Sequence, residues 1–146
     1  MRTFANVTFY DDAFSSEEKS TIWTKTVDNS LLSTAYTENP YACEDTQEKV
    51  FALSYADATN PDYGFDRYYE YDAARRKKPT DYAKCMGVQV FTQDYHGYEG
   101  CASWWLRSPD DLNPNSAWDV NFDGYVFYAD LALTSVGFVP AMCVTV

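Results

Sequence analysis

The sequence predicts a single α+β domain, with helices in the N-terminal half and a twisted antiparallel sheet with long loops in the C-terminal half. Its 146 residues match the usual size of a chain with one hydrophobic core. The helix-capping signals all lie in the first 85 residues. The later part carries the dipeptide Asp123-Gly124 between two runs rich in apolar residues, a signal for a tight hairpin turn. Together these observations indicate helices first and antiparallel strands afterwards.

The beginning of the chain predicts a strand, a helix and a second strand. Apolar and polar residues alternate from Phe4 to Phe9, which favours a strand. Ser15 and Glu18 have the spacing of a capping box, so a helix should follow Ser15 and continue through Ile22-Trp23. The next residues lack apolar periodicity and indicate mostly loop, until the short apolar run Val50–Ser54 predicts a strand.

The middle of the chain predicts a turn, two helices and a strand. The run Asn60–Gly64 is rich in turn-forming residues. Residues 68–77 fit a helix, and the basic cluster Arg75–Lys78 is interpreted as its solvated C-terminal end, where the helix dipole favours cations. Thr80 is a predicted N-cap for a second short helix. The apolar run Val88–Phe91 then favours a strand.

The remaining residues predict strands joined by loops. Ser103–Ser108 reads as a strand, followed by a polar loop. The two arms of the predicted hairpin are residues 117–121 and 125–128. A last strand is predicted over Val136–Val146, and the proline inside it indicates an edge or a bulge.

Charge excludes several classes of partner. The chain has 22 acidic and 11 basic residues and a formal net charge of −11, so nucleic acid and anionic membrane surfaces are not predicted partners. No apolar run is long enough for a transmembrane helix, and Met1–Tyr10 lacks the pattern of a secretory signal. Localisation stays open between a phage particle, the cytosol and a cell surface reached as part of a larger exported protein.

Cysteine and histidine do not form a recognisable site. The four cysteines lie far apart and include no CxxC pair, and His96 is the only histidine, so no zinc site is predicted. Two disulfides and four free thiols both remain open. Cys101 lies near His96 in sequence, but no residue that would orient such a pair is identifiable, so the chain is predicted not to be an enzyme.

A calcium site is a weaker hypothesis than the absence of any cofactor. The loop from Asp110 to Asn121 is rich in oxygen donors, the ligands that calcium requires. Solvated loop acids explain the same residues without a metal. No cofactor is therefore predicted, and a weak calcium site is kept as the alternative.

Several motifs, in this order, resemble a bacterial and phage domain family of unknown function marked by "WWLRSPG … GVRPA". The family's first-helix motif, its "DKVFLLS" strand and its "T-x-Y-A" helix start also have counterparts here, so the resemblance spans nearly the whole chain. One departure is Val139, where the family usually has arginine. The matching segments are Ala13–Lys19, Lys49–Ser54, Thr80–Ala83, Trp104–Pro109 and Gly137–Ala141.

The resemblance implies a C-type-lectin-like fold, shared with formylglycine-generating enzymes and with the variable proteins of diversity-generating retroelements. In those variable proteins, a strand-and-loop surface before a "GVRPA"-like end carries residues altered by adenine-directed mutagenesis. The corresponding segment here is residues 115–139. Around it, the resemblance and the residue types assign structural roles: Trp104 and Trp105 should enter the core, Arg107 should bind a carboxylate or carbonyls, and Gly137 and Pro140 should shape the backbone.

The favoured function is a ligand-binding module that recognises a protein or glycan, on a cell surface, through aromatic side chains. Aromatic residues make up 18% of the chain, and Tyr and Trp supply stiff contact area at low entropic cost. The alternative is a structural or assembly domain of a larger surface or phage protein; the oligomeric state is open. The candidate ligand-binding residues are Trp118, Asp119, Asn121, Phe122, Asp123, Tyr125, Phe127, Tyr128 and Leu131.

Overall fold

The computed structural model describes residues 2–93, 96–130 and 135–145 as a mixed α/β structure with small open sheets. A π-helical segment, Phe4–Phe9, leads directly into the first α-helix. The α-helices of the described residues are α1 (Tyr10–Ala13), α2 (Ser16–Thr21), α3 (Tyr55–Ala58) and α4 (Asp81–Cys85). The strands are β1 (Ile22–Trp23), β2 (Lys25–Val27), β3 (Thr46–Glu48), β4 (Trp104–Pro109), β5 (Ser116–Val120), β6 (Val126–Asp130), β7 (Gly137–Phe138) and β8 (Cys143–Val144). Single 3-10 turns occupy Leu31–Ser33, Pro61–Tyr63 and Ala73–Arg75.

The first segment is helical, so the predicted strand at Phe4–Phe9 is wrong. Asn6 explains the difference, because its side chain bonds the backbone of a distant segment. Its Nδ2 donates to the Val50 carbonyl at 2.8 Å, and its Oδ1 accepts from the amides of Lys49 at 2.8 Å and Val50 at 3.1 Å. The helix also buries Ala5 in a cluster with Val50. Tertiary contacts therefore outweigh the alternating pattern.

The capping box at Ser15 is confirmed, but the helix that it starts is shorter than predicted. Ser15 accepts from the Glu18 amide, and the Glu18 side chain accepts from the Ser15 amide at 2.9 Å. The helix ends at Thr21, and Ile22 pairs with Val144 in the β1–β8 ladder. Pairing with a strand more than a hundred residues away along the chain is not readable from local sequence.

Two further predicted strands are irregular. At Val50–Ser54, Phe51 makes one isolated antiparallel bridge, to Ala141. At Val88–Phe91, the amide of Phe91 donates to the Cys101 carbonyl, and no regular strand forms. The turn predicted at Asn60–Gly64 is present, and Thr80 caps α4 through the Ala83 amide, as predicted.

The main sheet has the strand order β6-β5-β4-β7 and carries the predicted hairpin. Strands β5 and β6 pair antiparallel around the turn at Asp123-Gly124. The β4–β7 pair is parallel, so the prediction of an antiparallel sheet is wrong at that edge. The predicted last strand is divided into β7 and β8, with Pro140 in the break.

The core has two parts. One packs against the main sheet and is formed by Ala58, Trp104, Leu106, Trp118, Val120 and Val126. The other lies under the N-terminal helices and is formed by Ala5, Tyr10, Ile22 and Val50. The burial of Trp104 and Trp105 confirms their predicted place in the interior. Within the residues described, no helix has both the length and the apolar character needed to cross a bilayer.

Candidate functional site: an aromatic cleft beside the hairpin

The β5–β6 register decides which hairpin side chains are buried. Trp118 pairs with Tyr128, Asp119 with Phe127, and Val120 with Val126. Directly paired residues of an antiparallel ladder share a face, and successive residues of a strand point to opposite faces. Val126 enters the core, whereas Phe127 and Tyr128 are 44% and 45% exposed. The hairpin therefore presents large aromatic side chains to solvent.

These side chains belong to an open cleft of about 300 Å³, here named the aromatic cleft. Its rings contact one another: Tyr55 meets Trp118 edge-on with 4.9 Å between centroids, and Phe127 stacks on Tyr128 at 4.6 Å. Such pairs stiffen the aromatic groups before any ligand arrives. The cleft is lined by Ala35, Tyr36, Tyr55, Tyr69, Trp118, Tyr125, Val126, Phe127 and Tyr128.

Trp118 lines the aromatic cleft and carries a hydrogen-bond donor without a partner in the described part of the chain. Its Nε1 is buried and has no hydrogen-bond partner among the described residues. Buried donors are nearly always satisfied, and an unsatisfied one costs about 1–3 kcal/mol. The ring lies beside Tyr36 and Tyr55 in the cleft, and a ligand acceptor that reached the nitrogen would satisfy it.

A fully buried arginine positions the loop that carries Tyr69. Arg75 is 0% exposed, so the prediction that it forms the solvated end of a helix is wrong. Within the described ranges its guanidinium donates to main-chain carbonyls and makes one ion pair, with Asp72 at 3.8 Å. Burial lowers the pKa of Arg75, and the nearby carboxylate opposes that shift. The carbonyl acceptors are those of Ala58 (3.1 Å), Asp66 (3.1 Å), Tyr68 (3.0 Å), Glu70 and Gly124 (2.8 Å).

The hairpin turn fits closely against the segment that contains Arg75. Gly124 has φ of +88°, and a Cβ at this position would lie 2.0 Å from the Asp72 carbonyl oxygen. The Arg76 Nε donates to the Asp123 carbonyl at 3.1 Å, and the Val126 amide donates to the Tyr69 carbonyl at 2.7 Å. The loop and the hairpin therefore hold the rim of the aromatic cleft as one unit.

A second pocket, of about 300 Å³, lies on the other face of the hairpin and is here named the Asp119 pocket. Asp119 is 3% exposed, and its Oδ1 has no hydrogen-bond partner among the described residues. Burial raises the pKa of Asp119 to about 7, and the charge of Asp123 adds to the increase. The pocket is lined by Gln89, Val90, Phe91, Ser103, Asp119, Asn121, Phe122, Phe127, Tyr128, Ser135 and Val136.

The predicted ligand-binding residues divide between these two sites. The aromatic cleft includes Trp118, Tyr125, Phe127 and Tyr128. The Asp119 pocket includes Asp119, Asn121 and Phe122, together with Phe127 and Tyr128, which line both. Asp123 belongs to the turn, where its Oδ1 accepts from the Tyr125 amide at 3.0 Å. Leu131 lies outside the described residues.

Sequence reasoning missed the tyrosines that other segments bring to the cleft. Tyr36, Tyr55 and Tyr69 come from loops or helix starts far from residues 115–139, and Tyr36 and Tyr69 are 46% and 47% exposed. The dense run Tyr68-Tyr69-Glu70-Tyr71 was the available signal. It was interpreted as helical, whereas it is an exposed loop whose Tyr71 also contacts Tyr125.

The predicted structural motif residues support the fold from outside the two sites. Arg107 pairs with the Asp57 carboxylate at 2.6 Å and donates to the Ala52 and Asp28 carbonyls, which agrees with its predicted bonding. The Trp104 Nε1 donates to the Arg75 carbonyl at 3.0 Å. The Gly137 amide bonds the Ser103 carbonyl.

A third cavity, of about 440 Å³, is a weaker candidate site. A large pocket is the usual first hypothesis for a binding site. Here, however, its charged lining residues already have partners: Arg107 bonds Asp57, and Arg2 bonds Glu48 at 3.1 Å. A ligand would have to compete with these pairs, whereas the hairpin sites hold unsatisfied polar atoms.

The described part of the chain contains no assembled metal site. No three His, Cys, Asp or Glu side chains are grouped there so as to hold a metal ion. Asp110, predicted to be a solvated loop acid, is buried and accepts from the Leu112 amide. All four cysteines are free, and Cys101 is buried.

Comparison with known proteins shows that the chain matches one family. The family described as "Domain of unknown function (DUF6273)" matches residues 1–146. No curated protein and no solved structure matches the chain.

Proposed function

The chain belongs to the DUF6273 family of domains, and we propose that it is a ligand-binding module that recognises a protein or glycan through the aromatic cleft. One observation carries the proposal. Exposed rings of four residues from three separate segments surround a cleft that is also lined by Trp118, whose buried indole N–H is unsatisfied within the described ranges. These four residues are Tyr36, Tyr69, Phe127 and Tyr128.

The chemistry of the cleft favours binding over a purely structural role. An exposed aromatic ring leaves apolar area in water, and contact surfaces are enriched in Tyr and Trp. Stacked rings have already lost much of their rotamer freedom, which lowers the entropic cost of binding. Trp118 adds directionality, because an acceptor must lie near its Nε1 to form the missing hydrogen bond.

The finer proposal is a C-type-lectin-like fold and a diversified hairpin. It derives from the motif resemblance and gains support from the exposure pattern. Trp118, Val120 and Val126 lie within residues 115–139 but are core residues. They must stay unchanged if the fold is to be kept while the surface of this segment varies. The exposed Phe127 and Tyr128 have no such role, so their variation would leave the core intact.

The binding proposal is tested with a triple variant, Tyr36→Ala, Phe127→Ala and Tyr128→Ala. Labelled wild-type protein is applied to a glycan array and to a yeast-displayed peptide library, and dissociation constants are measured for the positive probes. We expect the triple variant to lose at least tenfold in affinity, because it removes three of the exposed rings.

A matched control removes two tyrosines that lie away from the cleft. Tyr63 and Tyr82 are 55% and 68% exposed, and replacing both with alanine should leave the affinity unchanged. Retention of wild-type affinity in the triple variant would overturn the proposal. If wild-type protein self-associates in sedimentation and the triple variant does not, the assembly alternative replaces it.

The diversification proposal has its own test, deep sequencing of the gene across a growing population and several isolates. Substitutions should concentrate at adenine positions of a template within codons 115–139 and leave Trp104–Pro109 unchanged. The core residues Trp118, Val120 and Val126 should also remain constant. A segment as invariant as the rest of the gene would refute diversification and leave a fixed binding module.

A further inference from the structure

The Asp119 pocket is lined by a buried carboxylate, one oxygen of which has no hydrogen-bond partner among the described residues. Asp119 lies on the central strand β5, where its neighbours across the ladders are Trp105 on β4 and Phe127 on β6. Among the described residues, neither a lysine, an arginine nor a histidine lines the pocket. An ionised carboxylate in such a place is costly unless a cation or hydrogen-bond donor reaches it.

Aromatic rings form the walls beside this carboxylate. Phe91 stacks on Phe122 with 4.2 Å between centroids and an interplanar angle of 7°. Phe127 and Tyr128 complete the aromatic lining and separate the pocket from the aromatic cleft. Ring faces attract cations through their quadrupoles, most strongly where water is excluded.

Polar groups beside Asp119 favour a cation that carries N–H donors. Ser103 and Asn121 line the pocket, and the Ser103 hydroxyl donates to the Asn121 Oδ1 at 3.4 Å, which leaves further lone pairs on both oxygens. These oxygens and the Asp119 Oδ1 are acceptors that a primary ammonium, with three donors, can satisfy together. A quaternary ammonium would meet the rings but leave the Asp119 Oδ1 without a donor.

We propose that the Asp119 pocket binds a primary ammonium group, with Asp119 as its counter-ion and the Phe91, Phe122 and Phe127 rings as its walls. The overall charge of −11 attracts such a cation from solution. The proposal rests on the proposed function in one respect: the pocket shares Phe127 and Tyr128 with the aromatic cleft, so the ammonium would be part of the recognised ligand. Its source is either an alkylamine chain, such as a lysine side chain, or an amino sugar.

The direct test measures binding of n-butylammonium chloride by calorimetry and NMR at pH 8. We expect saturable binding with shifts at the Phe91 and Phe122 resonances, no binding of n-butanol, and weaker binding of tetramethylammonium. The Asp119→Asn variant, nearly identical in shape, should lose at least tenfold in affinity. Absence of n-butylammonium binding, or equal affinity in Asp119→Asn, would overturn the proposal.

A pH series keeps the test informative even if Asp119→Asn folds poorly. Apart from Asp119, the only titratable side chain that lines the pocket among the described residues is Tyr128, and Asp123 acts on Asp119 through its charge. Wild-type affinity for n-butylammonium should rise as the pH increases from 5.5 to 8, because ionised Asp119 is the counter-ion. An affinity that does not change over this range would count against the pocket as the binding site.

Glucosamine distinguishes the two sources of the ammonium. Binding of glucosamine more than tenfold tighter than n-butylammonium supports an amino sugar, and the reverse supports an alkylamine chain. The Tyr36→Ala variant separates this proposal from the proposed function, because Tyr36 lines only the aromatic cleft. It should weaken binding of the array or library probe and leave n-butylammonium binding unchanged. Loss of n-butylammonium binding in Tyr36→Ala would assign that binding to the cleft.

Discussion

Replacing Asp119 with asparagine should change how the stability of the protein depends on pH. Burial raises the pKa of Asp119 from 3.8 in an exposed state to about 7 in the folded state. Between these values the unfolded chain has released the proton and the folded chain retains it. The unfolded state therefore binds fewer protons, and stability falls as the pH rises through this window.

The size of the effect follows from the two pKa values. One pKa unit corresponds to about 1.4 kcal/mol, so the rise from 3.8 to about 7 corresponds to about 4 kcal/mol of folding stability. About 3 kcal/mol of this loss lies between pH 5 and pH 8. Asparagine cannot ionise, so Asp119→Asn should be more stable relative to wild type at pH 8 than at pH 5 by about 3 kcal/mol.

The measurement is urea unfolding followed by tryptophan fluorescence, at pH 5 and pH 8, in buffers free of amines. Amine buffers are avoided because a bound ammonium would stabilise ionised Asp119 and mask the effect. The exposed Asp12→Asn variant removes the same charge outside the pocket and measures the effect of net charge alone. A difference below 1 kcal/mol between the two pH values, after this correction, would refute the argument.

Three other predictions concern the scaffold, each measured by urea unfolding. Arg75→Met should lower the free energy of unfolding by about 3–5 kcal/mol, because it leaves several buried carbonyls without a hydrogen-bond donor. The control Arg67→Met, at an exposed position, should change the free energy of unfolding by less than about 0.5 kcal/mol. Gly124→Ala should cost at least about 2 kcal/mol through its positive φ and its contact with the main chain, and Gly64→Ala, which has a similar φ but open space around it, should cost about 1 kcal/mol. Ser15→Ala should cost about 1 kcal/mol through loss of the capping box. Equal costs for the two glycine variants, or a neutral Arg75→Met or Ser15→Ala, would contradict the contacts described.

Local signals in the sequence predict the elements whose cause is local. The caps at Ser15 and Thr80 satisfy amides within three residues, and the Asp123-Gly124 turn joins strands that follow each other directly. In these cases the residues that cause the structure are neighbours in sequence.

Elements set by distant partners were not predictable in this way. The helix around Asn6 depends on Val50, and the loop that holds Tyr69 depends on the burial of Arg75 against Gly124. A basic residue next to three other basic residues is typical of a solvated surface, so the buried guanidinium had no sequence signal. The aromatic cleft was therefore predicted only on its hairpin side, and the tyrosines opposite it followed from tertiary structure.

The bonding of Arg75 has a consequence for how this surface can evolve. Every amino acid, proline included, supplies a carbonyl oxygen, so these hydrogen bonds depend on the path of the main chain, whereas the charges of Asp72 and Asp66 act through their side chains. Codons for Asp66, Tyr68 and Glu70 can change without removing an acceptor from the anchor. The loop at the rim of the aromatic cleft can therefore exchange its side chains while Arg75 continues to hold its main chain in the same place.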